Sequence, residues 1–109
     1  MFQGRTVGVI VPAYNEEKLI ERTVRTMPSF VDRIIVVDDC SRDRTVEIVQ
    51  NLIQEFGPRL VLVPHERNQG VGRTIVTGYK RAIEEECEVT AVMAGDAQMD
   101  PRDLIRIIE

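Results

Sequence analysis

Four short stretches of this chain hold the side chains that could do chemistry. They are Pro12-Ala13-Tyr14-Asn15-Glu16-Glu17, Asp38-Asp39-Cys40-Ser41-Arg42-Asp43, Pro64-His65-Glu66-Arg67-Asn68-Gln69-Gly70-Val71-Gly72-Arg73 and Ala94-Gly95-Asp96-Ala97-Gln98-Met99-Asp100. Acids and amides crowd them, and their glycines let backbone come close to a ligand. Such a set suits a nucleotide held with a divalent cation. Mg2+ and Mn2+ take oxygen ligands and bridge diphosphates to carboxylates. The turn at Asn68, Gly70 and Gly72 opens a helical pattern, which makes it a phosphate cradle. It lacks the Walker lysine-hydroxyl pair and the dinucleotide Gly-x-Gly-x-x-Gly spacing, so on its own it specifies no ligand.

Each stretch follows an apolar run. The runs cover residues 7–11, 34–37, 60–63 and 89–93, are rich in β-branched residues and are apolar on both faces. Runs of that kind are strands buried in a parallel sheet. Helical spacing follows each run: Leu19, Ile20, Thr23, Val24 and Met27; Val46, Val49, Leu52, Ile53 and Phe56; Val71, Ile75, Tyr79, Ala82 and Ile83; Leu104, Ile105 and Ile108. Gly57-Pro58 ends the second helix, and Asp100-Pro101 opens the fourth. Four βα units predict a three-layer, doubly wound, mostly parallel sheet of Rossmann-like kind. In open sheets of this kind ligands bind beyond the carboxyl ends of the strands, where the four polar stretches fall.

The remaining composition narrows the function classes. At 109 residues the chain is a single domain or part of one. Hydrophobic residues at 43% and charged residues at 29% are ordinary globular usage, which excludes intrinsic disorder. The formal net charge of −4 argues against nucleic acid as a partner. No apolar run reaches the ~18 residues of a membrane span, and residues 1–5 lack a signal-peptide core. Cys40 and Cys87 are too few and too far apart for a disulfide scaffold or a zinc site, so reduced thiols in the cytoplasm are the expectation. The pattern stops at Glu109 inside the fourth helical stretch, as expected of an N-terminal portion truncated at its C-terminus.

At the four polar stretches the sequence resembles the family 2 glycosyltransferases, and within them the dolichyl- or polyprenyl-phosphate sugar transferases. The resemblance runs through Val11-Pro12-Ala13-Tyr14-Asn15-Glu16-Glu17, Val37-Asp38-Asp39-Cys40-Ser41-Arg42-Asp43-Arg44-Thr45, Asn68-Gln69-Gly70-Val71-Gly72 and Asp96-Ala97-Gln98-Met99-Asp100-Pro101, nearly the whole chain. It implies the nucleotide-binding half of a glycosyltransferase A fold, a UDP- or GDP-sugar donor, Mg2+ or Mn2+, and inverting transfer to a lipid phosphate at the cytosolic membrane face. It assigns Pro12, Ala13, Tyr14 and Glu16 to nucleobase and ribose, with Asp39 accepting a hydrogen bond from the base. Asp38, Asn68 and Gly70 join the substrate-binding set, and Arg73 stands near the phosphates. Asp96 would bind metal and diphosphate, with Gln98 beside the metal. One departure stands out: the family's first metal-motif aspartate is Ala94 here. The catalytic base and acceptor wall are expected beyond residue 109, so this chain alone is expected to be inactive. The sheet of such a transferase continues past the fourth strand, so self-association through that exposed edge is expected.

Plainer roles compete for several of these residues. Ser41 or Asp43 caps the second helix, and Glu17 favours a helix dipole. Glu16 stays open between dipole and ligand. His65 reads as a surface or loop residue, Cys87 as a small packing residue, and Gly78 as a site of close helix–sheet approach. A phosphoacceptor receiver domain needs an aspartate after the third strand, where Pro64-His65-Glu66-Arg67 stands. A sugar-nucleotide pyrophosphorylase needs a glycine-rich basic loop after the first strand, where Tyr14-Asn15-Glu16-Glu17 stands. The alternative that survives is a non-catalytic nucleotide-binding or regulatory module.

Overall fold

The four valine- and isoleucine-rich runs form parallel strands in a computed structural model that describes residues 1–93. Strand β1 is Val7–Ala13, β2 is Arg33–Asp38, β3 is Leu60–Pro64 and β4 is Val89–Val92. Helices α1 (Ile20–Arg25), α2 (Thr45–Phe56) and α3 (Val71–Glu84) connect them. The strand order is β3-β2-β1-β4, so β1 and β2 are central. This is the order of a doubly wound sheet in which the chain crosses back after the third strand. The fourth helical pattern, Ala94, Asp96 and Gln98 lie outside the described residues.

Alternation along each strand builds two cores. Val7, Val9 and Val11 of β1, with Ile34 and Val36 of β2, pack with Ile20 and Val24 of α1 and with Val49 and Leu52 of α2. Ile10, Ile35 and Val37 pack on the other face with Val61 and Ala82, the last from α3. Both faces of β1 and β2 are therefore covered, as the unbroken apolar runs require.

Helix α1 is shorter than its apolar spacing predicts. It ends at Arg25, with Thr26 as its C-cap. Pro28 follows, and proline disfavours helical backbone in the residue before it, so Met27 reaches the core from outside the helix. Helix α2 stops where glycine and proline predict: Gly57 has φ 65° and opens a short 3-10 turn, Gly57–Arg59.

Gly78 lets α3 lie directly on the sheet. A Cβ built there would stand 2.3 Å from Ile10 Cγ2. Two residues earlier in β1, Cys87 occupies the space above Gly8, where an added Cβ would lie 2.6 Å from its Sγ. Cys87 is thus the packing residue its sequence position predicts, and burial pushes its thiol pKa up.

Candidate functional site

Parallel pairing brings the loops after β1, β2 and β3 to one rim of the sheet. Ala13 pairs with Asp38, and Asp38 with Pro64. The first two loops are then stitched together in both directions. The Asn15, Glu16 and Glu17 N–H groups donate to Ser41 Oγ (2.9 Å), Thr45 Oγ1 (2.9 Å) and Asp43 Oδ2 (3.2 Å). In return, Arg42 N–H donates to Asn15 Oδ1 (2.9 Å) and Arg44 N–H to Glu17 Oε2 (3.1 Å). Asp43 also takes the Thr45 N–H at 2.9 Å at the start of α2. Burial raises its pKa, but the Thr45 and Glu17 donors outweigh burial and hold it below the ordinary value. Asp43 thus anchors the start of α2 beside its N-cap Arg44, whereas Glu17 lies ahead of α1, which begins only at Ile20, and holds the Arg44 N–H instead of sitting in the first turn of a helix.

The two neighbouring aspartates part company. Asp38 turns into its own loop, where its carboxylate accepts the Ser41 N–H at 3.0 Å and the Ser41 hydroxyl. Its backbone carbonyl takes the His65 N–H at 2.7 Å. Asp39 reaches across to the third loop. Oδ1 accepts His65 Nδ1–H (2.9 Å) and the Gln69 N–H (2.8 Å), and Oδ2 accepts the Gly70 N–H (2.9 Å). Gly70 is the N-cap of α3, at φ 91°, a conformation that favours glycine. The carboxylate thus sits at the positive end of the helix dipole. Burial opposes its charge, but the donors from His65, Gln69 and Gly70 win and keep its pKa below the usual carboxylate value.

Beside Asp39 opens a cleft of about 370 Å³. Pro12, Ala13, Tyr14 and Glu16 line it from the first loop, and Asn68 and Gly70 from the third. Val71 and Thr74 of α3 complete the wall. Tyr14 is exposed, at 43%. Apolar walls, an exposed tyrosine and one buried ionised acceptor fit a flat heterocycle that carries a hydrogen-bond donor. Two predicted substrate residues stand outside this lining: Asp38, turned onto Ser41, and Arg73, on the exposed side of the first turn of α3.

Two residues have larger roles than their sequence positions predict. His65 lies in a loop, but its side chain is only 7% exposed and bridges Asp39 to Thr77 Oγ1, 2.9 Å from Nε2. The signal that finds it is strand register: Asp38 pairs with Pro64, so the next residues, Asp39 and His65, are neighbours. Asn15, at φ 52°, is the other. It makes a left-handed turn in the first loop, and its side-chain oxygen holds the Arg42 N–H.

Strand order and cleft together define a Rossmann-like α/β domain with a cleft beyond the carboxyl ends of the central strands, where folds of this kind bind ligands. The chain belongs to glycosyl transferase family 2, whose sequence profile matches residues 8–109. It is 32% identical to the UDP-N-acetylglucosamine–dolichyl-phosphate N-acetylglucosaminyltransferase of Methanococcus voltae, over 96% of this chain and 47% of that protein. Among solved structures it resembles S. aureus TarS 1-349 in complex with UDP-GlcNAc. The TM-score is 0.75 at 29% identity, covering 94% of this chain and 30% of that one. It also resembles the mannosyltransferase PcManGT of Pyrobaculum calidifontis in complex with GDP-Man and Mn2+, with TM-score 0.77 at 29% identity, covering 93% and 30%. The chain spans less than half the length of these proteins.

Proposed function

We propose that this chain is the donor-binding part of a glycosyltransferase that moves a sugar from a UDP- or GDP-sugar to a polyprenyl or dolichyl phosphate, with inversion. The observation that carries the reading is Asp39, a buried ionised carboxylate fixed on the N-terminus of α3 at the wall of the cleft. The nucleobase lies against Pro12, Ala13 and Tyr14 and donates to Asp39, with Asn68, Gly70 and Glu16 at the ribose side. A relative that uses a dolichyl phosphate and neighbours with UDP-GlcNAc and GDP-Man bound support donor and acceptor classes. A lipid phosphate is already an anion, which lowers the need for a general base. Among the described residues no helix is long and apolar enough to cross a membrane. The dolichyl-phosphate relative supports contact of the whole protein with the cytosolic membrane face.

The Mn2+ bound in one structural neighbour supports a Mg2+ or Mn2+ cofactor. Among the described residues no group of three His, Cys, Asp or Glu could hold a metal ion. In our reading the ion belongs to Asp96 and Gln98, where it would neutralise the donor diphosphate.

Calorimetric titration with UDP-GlcNAc and GDP-Man, each with and without Mn2+, tests this reading. One donor should bind, at least about tenfold more tightly with Mn2+, the scale of one good charge–charge contact. Asp96→Ala should erase the Mn2+ effect. Failure of both donors to bind would overturn the reading, and an Mn2+ effect that survives in Asp96→Ala would overturn the metal assignment.

Self-association belongs to the same proposal. Among the described residues the outer edge of β4 is unpaired. Sedimentation velocity should show a species larger than the monomer that grows with concentration. A single monomeric boundary at every concentration would refute it.

A further inference from the structure

Asp39 offers the cleft less than a free carboxylate would. An ionised carboxylate has about four acceptor positions. Oδ1 uses two, for His65 Nδ1–H and the Gln69 N–H, and Oδ2 uses one, for the Gly70 N–H. A carboxylate held ionised only accepts, so the proton between the two side chains sits on His65 Nδ1. The side chains of the pair are 7% and 6% exposed, and Thr77 Oγ1 anchors the far nitrogen at 2.9 Å. The imidazole is therefore locked from both ends, and Oδ1 is full before any ligand arrives.

We infer that His65 is a specificity-determining positioning residue: by filling Oδ1 it leaves Asp39 one free acceptor, on Oδ2, and restricts the cleft to a nucleobase that presents one donor. This rests on the reading of the cleft as a nucleotide-sugar site. Uracil meets the condition, with a single N3–H between two carbonyls. Guanine presents two adjacent donors, N1–H and N2–H, which match a carboxylate through both oxygens. One of them would face the filled Oδ1 and lose its partner on binding. Cytosine offers its N4–H2 group as a donor, but the N3 lone pair takes the place of uracil's N3–H and is repelled by the carboxylate. The donor class that follows is a uridine diphosphate sugar. Asp39 makes the contact, and His65, which does not touch the base, sets how many donors Asp39 can read.

Titration of the full chain with UDP, GDP and CDP, repeated on His65→Ala and His65→Asn, tests the inference. UDP should bind at least about tenfold tighter than GDP or CDP, the scale of one charge-assisted hydrogen bond against an unpaired donor. His65→Ala frees a position on Oδ1, so the UDP-to-GDP preference should fall at least about threefold. His65→Asn returns a side-chain N–H to that side and should restore the preference. Uniform weakening of both nucleotides in His65→Ala, with the ratio unchanged, would overturn the role of His65. The wild-type comparison holds even if His65→Ala does not fold. GDP binding as tightly as UDP would overturn the inference and leave the nucleotide-site reading standing, whereas no binding of any of the three would overturn both.

Discussion

Replacing Asp39 with alanine is expected to remove nucleotide binding and to cost about 3 kcal/mol of stability. Hydrogen bonds to a charged acceptor are worth about 1.5–3 kcal/mol each, and three are lost. Relief of the buried charge offsets part of that sum and leaves a net cost of about 3 kcal/mol. The loss is also local to the site. Without Asp39 the Gln69 and Gly70 N–H groups at the start of α3 lose their acceptor, and His65 loses the partner that orients it. Against a total stability of roughly 5–15 kcal/mol, the change should show as a clear drop in the urea midpoint.

The same residue carries an acid signature. Its folded-state pKa lies below the ordinary 3.8, so its stabilisation is fully present above pH 3.8 and is lost as pH falls through the folded value. Wild-type stability should therefore fall steeply below about pH 4, and Asp39→Ala should lose less over that window. Asp43 and Asp32 are shifted in the same direction, so some acid slope remains in the variant. Equal slopes for the two proteins would refute the assignment of Asp39 as a native-state anion.

Strand positions follow from runs of β-branched residues, because a strand buried on both faces admits little else. Tyr14, Asp39, Asn68 and Gly70 are legible as cleft residues because a doubly wound sheet opens its crevice beyond the strand ends. His65, Asn15 and Asp38 needed more. His65 meets Asp39 across 26 residues, and Arg42 meets Asn15 across 27. Those separations are set by how β1, β2 and β3 align, and an unbroken apolar run is compatible with several alignments. Asp38 and Asp39 are adjacent and chemically identical, so only the turn that directs one to Ser41 and the other to His65 tells them apart. Arg73 is exposed in the first turn of α3 and lies outside the cleft lining, a placement that depends on helical phase.

Gly78→Ala should destabilise the protein by about 1–3 kcal/mol, although alanine is the better helix former by about 1 kcal/mol. The reason is contact distance. The new methyl would stand 2.3 Å from Ile10 Cγ2 and 3.0 Å from Ile10 Cγ1, and Ile10 is fully buried in the central strand. Ile10 has no open space to move into, because Ile35, Val37 and Ala82 share its cluster. Relief must come from α3 lifting off the sheet. That motion has a functional consequence, since Gly70, Val71 and Thr74 at the start of the same helix line the cleft. Nucleotide binding should thus weaken along with stability, although Gly78 itself lies outside the cleft lining. A double-mutant cycle separates the clash from a general loss of packing. Ile10→Ala alone should cost about 2–5 kcal/mol through the cavity it leaves. In that background Gly78→Ala should be neutral or stabilising, because its methyl enters the vacated space while the helix gains propensity. Additive costs in the double variant would refute the direct contact between Gly78 and Ile10.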